Sequence, residues 1–183
     1  RVLSRAQALA VAEQRRGWTV VDEAFGDLDP KLSVADADIE RLVVLKSFGK
    51  FYGLAGARLG FIIAPRNLAD QLRARLGEWP VSADAIALGL GAYADLDWQV
   101  RQRRRLHRAS QRLGALLEFH GFEILGGTSL FKLTAAADAP KRFQRLCELG
   151  VLTRPFHHNA RWLRFGLPGA DDWSRLEAAL GEA

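Results

Sequence analysis

The sequence predicts an α/β protein in which a sheet-based segment is followed by a smaller α+β domain. Three observations carry that expectation. The balance of 49% hydrophobic and 26% charged residues is that of a globular chain and leaves out wholesale disorder, collagen and coiled coils. Two apolar runs, Trp18-Thr19-Val20-Val21 and Leu42-Val43-Val44-Leu45, lack polar alternation, as strands covered on both faces do in a parallel sheet. The pattern changes near residues 80–95, so residues 1–85 are expected to belong to the sheet-based domain and residues 86–183 to the smaller one.

Ser4 is expected to cap a helix running to about Arg16, with Leu3, Ala6, Leu9, Ala10 and Glu13 at helical spacing and Gly17 closing it. The first apolar run ends at Asp22-Glu23, and the second ends before Ser47-Phe48-Gly49-Lys50. Functional groups gather beyond the C-terminal ends of parallel strands, which is where both Asp22 and Lys50 fall. A third run, residues 59–64, stops at Pro65, and a helix follows from about Asn67 to Leu76. Trp79-Pro80 breaks the pattern, and residues 82–120 read as two or more helices. Short strands at 122–125, 129–133, 151–153 and 162–165 surround a helix near 140–149, and a helix over 171–180 closes the chain.

Several classes are excluded or disfavoured by the same residues. No apolar stretch approaches the ~20 residues that span a bilayer, and no signal-peptide core follows Arg1. The single cysteine, Cys147, rules out an internal disulfide framework, so a reducing cytoplasm is the simplest compartment. A net charge of +5 is too small to demand nucleic acid without a concentrated patch. The absence of methionine, with Arg1 in first place, leads us to expect an excised or processed chain.

The densest chemical signal is the stretch from Ser47 to Gly60. Four glycines, a hydroxyl, a lysine and an arginine sit in it between two candidate strands. Glycines there allow positive φ and close backbone approach to a ligand, while Ser47 and Arg58 have the chemistry of a phosphate site. This stretch resembles the lysine motif of pyridoxal-phosphate enzymes of the aspartate-aminotransferase fold, fold type I, within the class I and II aminotransferase superfamily. Ser47, Lys50, Gly53, Gly56, Arg58 and Gly60 match it position by position, and Val20-Val21-Asp22-Glu23-Ala24 resembles the strand carrying that family's pyridine-binding aspartate.

The resemblance implies the C-terminal part of a large parallel-sheet domain that binds pyridoxal 5'-phosphate, then a small α+β domain. It implies that Lys50 is the catalytic lysine, condensing with the cofactor aldehyde and afterwards moving protons. Asp22 would keep the pyridine nitrogen protonated, and Ser47 and Arg58 would hold the phosphate. Trp162-Leu163-Arg164-Phe165-Gly166 resembles the strand whose arginine grips a substrate carboxylate, a role a guanidinium fork suits; Arg161 is the near competitor. Arg154 and His157 are candidates for a second substrate anion. Phe25 stands where aminotransferases close to histidinol-phosphate aminotransferase carry a tyrosine. With Trp79-Pro80-Val81-Ser82 and the Arg164 strand, it looks more like the threonine-phosphate decarboxylases of cobalamin biosynthesis. That branch implies decarboxylation of a small phosphorylated amino acid, L-threonine O-3-phosphate, to aminopropanol phosphate in a cytoplasmic homodimer, with a histidinol-phosphate-type or other class I/II aminotransferase as the alternative. The family's ring-contacting asparagine, phosphate-cradling turn and stacking aromatic precede the region matched here.

Rival signals are weaker. Ser47-Phe48-Gly49-Lys50 also fits the S-x-x-K of penicillin-binding enzymes, but neither Ser-Asp-Asn nor Lys-Thr-Gly occurs. Gly89-Leu90-Gly91-Ala92-Tyr93-Ala94 fits G-x-G-x-x-A but lies in a helical pattern, where it reads as helix packing. Arg101, Arg103, Arg104, Arg105, Arg108 and Arg112 surround Leu106, Ala109, Leu113 and Leu116 at helical spacing, which predicts a solvated arginine face rather than a nucleic-acid module. The four histidines show no metal-ligand spacing.

Overall fold

A computed structural model describes residues 3–182 and divides them into two compact units, one up to Leu96 and one from Asp97. The division falls after the first helix of the stretch 82–120, where two or more are expected. In the first unit, α1 (Arg5–Gln14) starts at a capping box in which Gln7 N–H donates to Ser4 Oγ at 3.2 Å and Ser4 N–H donates to Gln7 Oε1 at 3.0 Å. Its Ala8 and Ala12 pack with Val34, Leu42 and Val44 against β1 (Thr19–Asp22) and β2 (Leu42–Ser47). These two strands are parallel, with Asp22 opposite Leu45. The third run forms β3 (Gly60–Ile63), which pairs antiparallel to β2 with Gly60 opposite Ser47. Coverage on both faces applies only to the start of β2: Leu42, Val43 and Val44 are buried, β1 alternates, and all of β3 is exposed. Within the first unit β1 and β3 are the outer strands, and only the middle strand is flanked on both edges. Helices α2 (Arg66–Leu76) and α3 (Ala83–Ala94) complete this unit.

The second unit starts on α4 (Leu96–Phe119), whose arginines are exposed apart from the half-buried Arg103, while Leu106, Leu113 and Leu117 are buried. Four antiparallel strands follow in the order β4-β5-β7-β6: β4 (Glu123–Thr128), β5 (Phe131–Ala135), β6 (Arg154–Pro155) and β7 (Trp162–Gly166). The strand expected at 151–153 is thus displaced onto Arg154–Pro155. With α5 (Ala139–Glu148) and α6 (Trp173–Glu182), α4 covers one sheet face, onto which β7 turns Leu163 and Phe165. Alternation leaves Trp162 and Arg164 on the other face. No helix among the described residues is long and apolar enough to cross a membrane.

Candidate active site

Because β1 and β2 are parallel, Asp22 and Ser47 end adjacent strands at the same edge of the sheet. Lys50 and Arg58 lie in the connection that leaves this edge along β2 and returns at Gly60. That connection is pinned by Phe48 N–H donating to the Leu59 carbonyl at 3.2 Å and Gly53 N–H donating to the Lys50 carbonyl at 3.3 Å, with Gly53 at φ 72°. Beneath it lies an aromatic bed. Phe48 stacks on Tyr52 at 4.7 Å between ring centroids, Phe51 meets Tyr52 edge-on at 5.0 Å, and Tyr93 of α3 lies 5.1 Å from Tyr52 and 5.6 Å from Phe61. Phe48 and Phe51 are fully buried, so the segment carrying Lys50 rests on a packed floor.

Lys50 itself is exposed, with its Nζ 5.9 Å from the centre of the Phe25 ring. Asp22 is exposed as well, and its Oδ1 accepts from Ala24 N–H at 2.9 Å. Arg58 adopts the left-handed backbone, φ 52° and ψ 39°, the one non-glycine residue with positive φ among those described, and its guanidinium donates to the Ala55 carbonyl at 3.1 Å. The structure therefore gathers Asp22, Ser47, Lys50 and Arg58 around one strand edge. A free amine, a carboxylate, a hydroxyl and a guanidinium beside an aromatic ring fit the donor set of a phosphorylated aromatic aldehyde.

A buried ionic cluster below this edge was not legible in the sequence. Lys46 Nζ lies 3.2 Å from Glu23 Oε2 and 3.3 Å from Asp27 Oδ1, and all three side chains are largely buried. Glu23 also accepts from Ser33 Oγ and Val34 N–H, both at 2.6 Å. Its only sequence signal is Lys46, a charge closing an apolar run.

In the second unit the antiparallel register sets Arg154 opposite Arg164. Burial first, and the charge of Arg154 second, lower the pKa of Arg164. The guanidinium carbons lie 5.2 Å from the Phe131 ring for Arg164 and 5.7 Å from the Phe156 ring for Arg154. Neither arginine has a carboxylate partner among the described residues, an arrangement that leaves a cationic pair available to anions. His157 is exposed in the turn after β6, and no hydrogen bond or ring contact among the described residues joins it to this pair. The neighbouring His158 packs on Trp162 at 5.5 Å. Arg161 precedes β7 and is exposed.

The chain belongs to the aminotransferase class I and II family, which it matches over residues 1–179. It is 44% identical over 171 residues to the threonine-phosphate decarboxylase of Pseudomonas aeruginosa, covering 92% of this chain and 51% of that protein. It is 41% identical over 186 residues to the threonine-phosphate decarboxylase of a Sinorhizobium species, covering 98% of this chain and 55% of that protein. The chain thus spans about half the length of these curated relatives. Histidinol-phosphate aminotransferase from Sinorhizobium meliloti, solved in complex with pyridoxal-5'-phosphate, superposes with a TM-score of 0.82 at 21% identity, over 98% of this chain and 52% of that one, a likeness of fold.

Proposed function

We propose that the whole protein is a pyridoxal-phosphate-dependent decarboxylase acting on L-threonine O-3-phosphate, with a role in cobalamin biosynthesis. Family membership makes pyridoxal 5'-phosphate its cofactor. The observation that carries the substrate reading is the Arg154–Arg164 pair, two cations without a carboxylate partner among the described residues, which suits a molecule bearing both a carboxylate and a phosphate. The similarity to threonine-phosphate decarboxylases supports it.

In this reading Lys50 holds the cofactor and afterwards moves a proton to the substrate carbon, Asp22 keeps the pyridine nitrogen protonated, and Ser47 and Arg58 hold the phosphate. When bound, the cofactor supplies an electron sink for the pair released as the carbon–carbon bond breaks. The carboxylate leaves as CO2, and a proton takes its place. Arg164 and Arg154, with His157 as a further candidate, bind the substrate's carboxylate and phosphate, so that two anchored anions restrict the orientation of the bond between them. The protein is proposed to act as a homodimer in the cytoplasm, without nucleic acid. The single Cys147 supports the compartment.

The assay supplies threonine phosphate without a keto acid. Stoichiometric CO2 and aminopropanol phosphate are the expected products. Efficient amino transfer from histidinol phosphate to a keto acid without CO2 release would favour the aminotransferase reading instead.

A further inference from the structure

We infer that Lys46 is a positioning residue for Asp22: clamped between Glu23 and Asp27, it fixes the segment after β1 and thereby the carboxylate offered to the cofactor. The inference rests on the cofactor site described above. Asp22 and Glu23 are neighbours at a strand end, so their side chains leave on opposite sides. Asp22 is exposed on one, while Glu23 is 7% exposed on the other. The same holds on β2, where Lys46 turns to the buried cluster and Ser47 to the opposite face. Each of the two strands thus carries a candidate cofactor residue beside an ionic anchor, and the anchors meet at 3.2 Å.

The clamp has several independent ties. Glu23 N–H donates to the Leu45 carbonyl at 2.8 Å, Gly26 N–H donates to the Glu23 carbonyl at 2.8 Å, and the Glu23 carboxylate accepts from Ser33 and Val34 at 2.6 Å each. Lys46 adds the contact to Asp27 at 3.3 Å, which closes the turn that carries Phe25. A carboxylate one residue from so rigid a node has little freedom to follow a misplaced ring. Without Lys46, two acidic groups would face each other in a poorly solvated space, and the segment would move to separate them.

The test is a double-mutant cycle in the whole protein, read by the affinity for pyridoxal 5'-phosphate and by the near-visible absorption of the bound cofactor. Lys46→Met is expected to weaken binding on the order of tenfold, as loss of an outer-shell orienting group does elsewhere, and to shift the band; Lys46→Arg restores most of both. In an Asp22→Asn background the effect of Lys46→Met is expected to shrink to under about threefold, because there is no carboxylate left to aim. Ser33→Ala removes one tie and keeps all charges, so it gives a smaller change of the same kind even if Lys46→Met does not fold. Additive effects of Asp22→Asn with Lys46→Met, or with Ser33→Ala where the first is insoluble, would overturn the inference while leaving the cofactor reading intact. A wild-type protein that binds no pyridoxal phosphate would overturn both.

Discussion

Arg154 and Arg164 face each other across β6 and β7 without a counter-charge among the described residues, and the pKa of Arg164, lowered by burial and then by the charge of Arg154, means that its charged form is disfavoured by folding. Arg154→Ala relieves that repulsion, so it is expected to change stability by less than about 0.5 kcal/mol while weakening substrate binding by about 1.5–3 kcal/mol per charged hydrogen bond lost. Paired denaturation and KM measurements check this; a large stability loss with unchanged KM would make Arg154 structural. Tyr93 gives a second prediction at this scale. Burial, and then the charge of Asp27, push its phenol from 10.0 up to about 12. In that window the folded state keeps a proton that the unfolded chain has lost, so stability falls as pH rises from 10 to about 12. Tyr93→Phe is expected to flatten this decline in urea unfolding, and an identical decline in both proteins would refute the assignment.

At the scale of elements, the β4–β5 hairpin depends on Gly127. Its φ is 152°, and a Cβ there would run into the Phe131 carbonyl oxygen and lie 3.1 Å from Lys132 Cα. Gly127→Ala is expected to destabilise the protein by about 1–3 kcal/mol. Gly166→Ala, on β7 with nothing within 4 Å of the added Cβ, is the control and should cost about 1 kcal/mol or less. Local sequence made several elements legible: the Ser4 cap, the helical stretch over 82–120 and the strand at 162–165 all follow from neighbours in the chain. It placed the strand after α5 at Val151-Leu152-Thr153, where β-branched residues abound, yet Leu152 is 84% exposed and the pairing to β7 uses Arg154 and Pro155. Pairing there is dictated by the partner strand, and proline is tolerated because β6 is an edge. The Glu23–Lys46 contact was hidden for a similar reason. It joins residues far apart in sequence and exists only once the parallel register sets Asp22 beside Leu45.

At the scale of the whole molecule, this chain contributes the lysine edge and the arginine pair, and it spans about half of its relatives' length. The 183-residue chain alone is accordingly expected to bind pyridoxal phosphate weakly, and sub-micromolar affinity in a titration would contradict that. Whether the edge formed by Asp22, Ser47, Lys50 and Arg58 holds the cofactor is decided by borohydride reduction of the whole protein loaded with pyridoxal phosphate, followed by peptide mapping. A phosphopyridoxyl label is expected on Lys50, and Lys50→Ala should lose it. A label on Lys31, Lys46, Lys132 or Lys141 in place of Lys50 would contradict it.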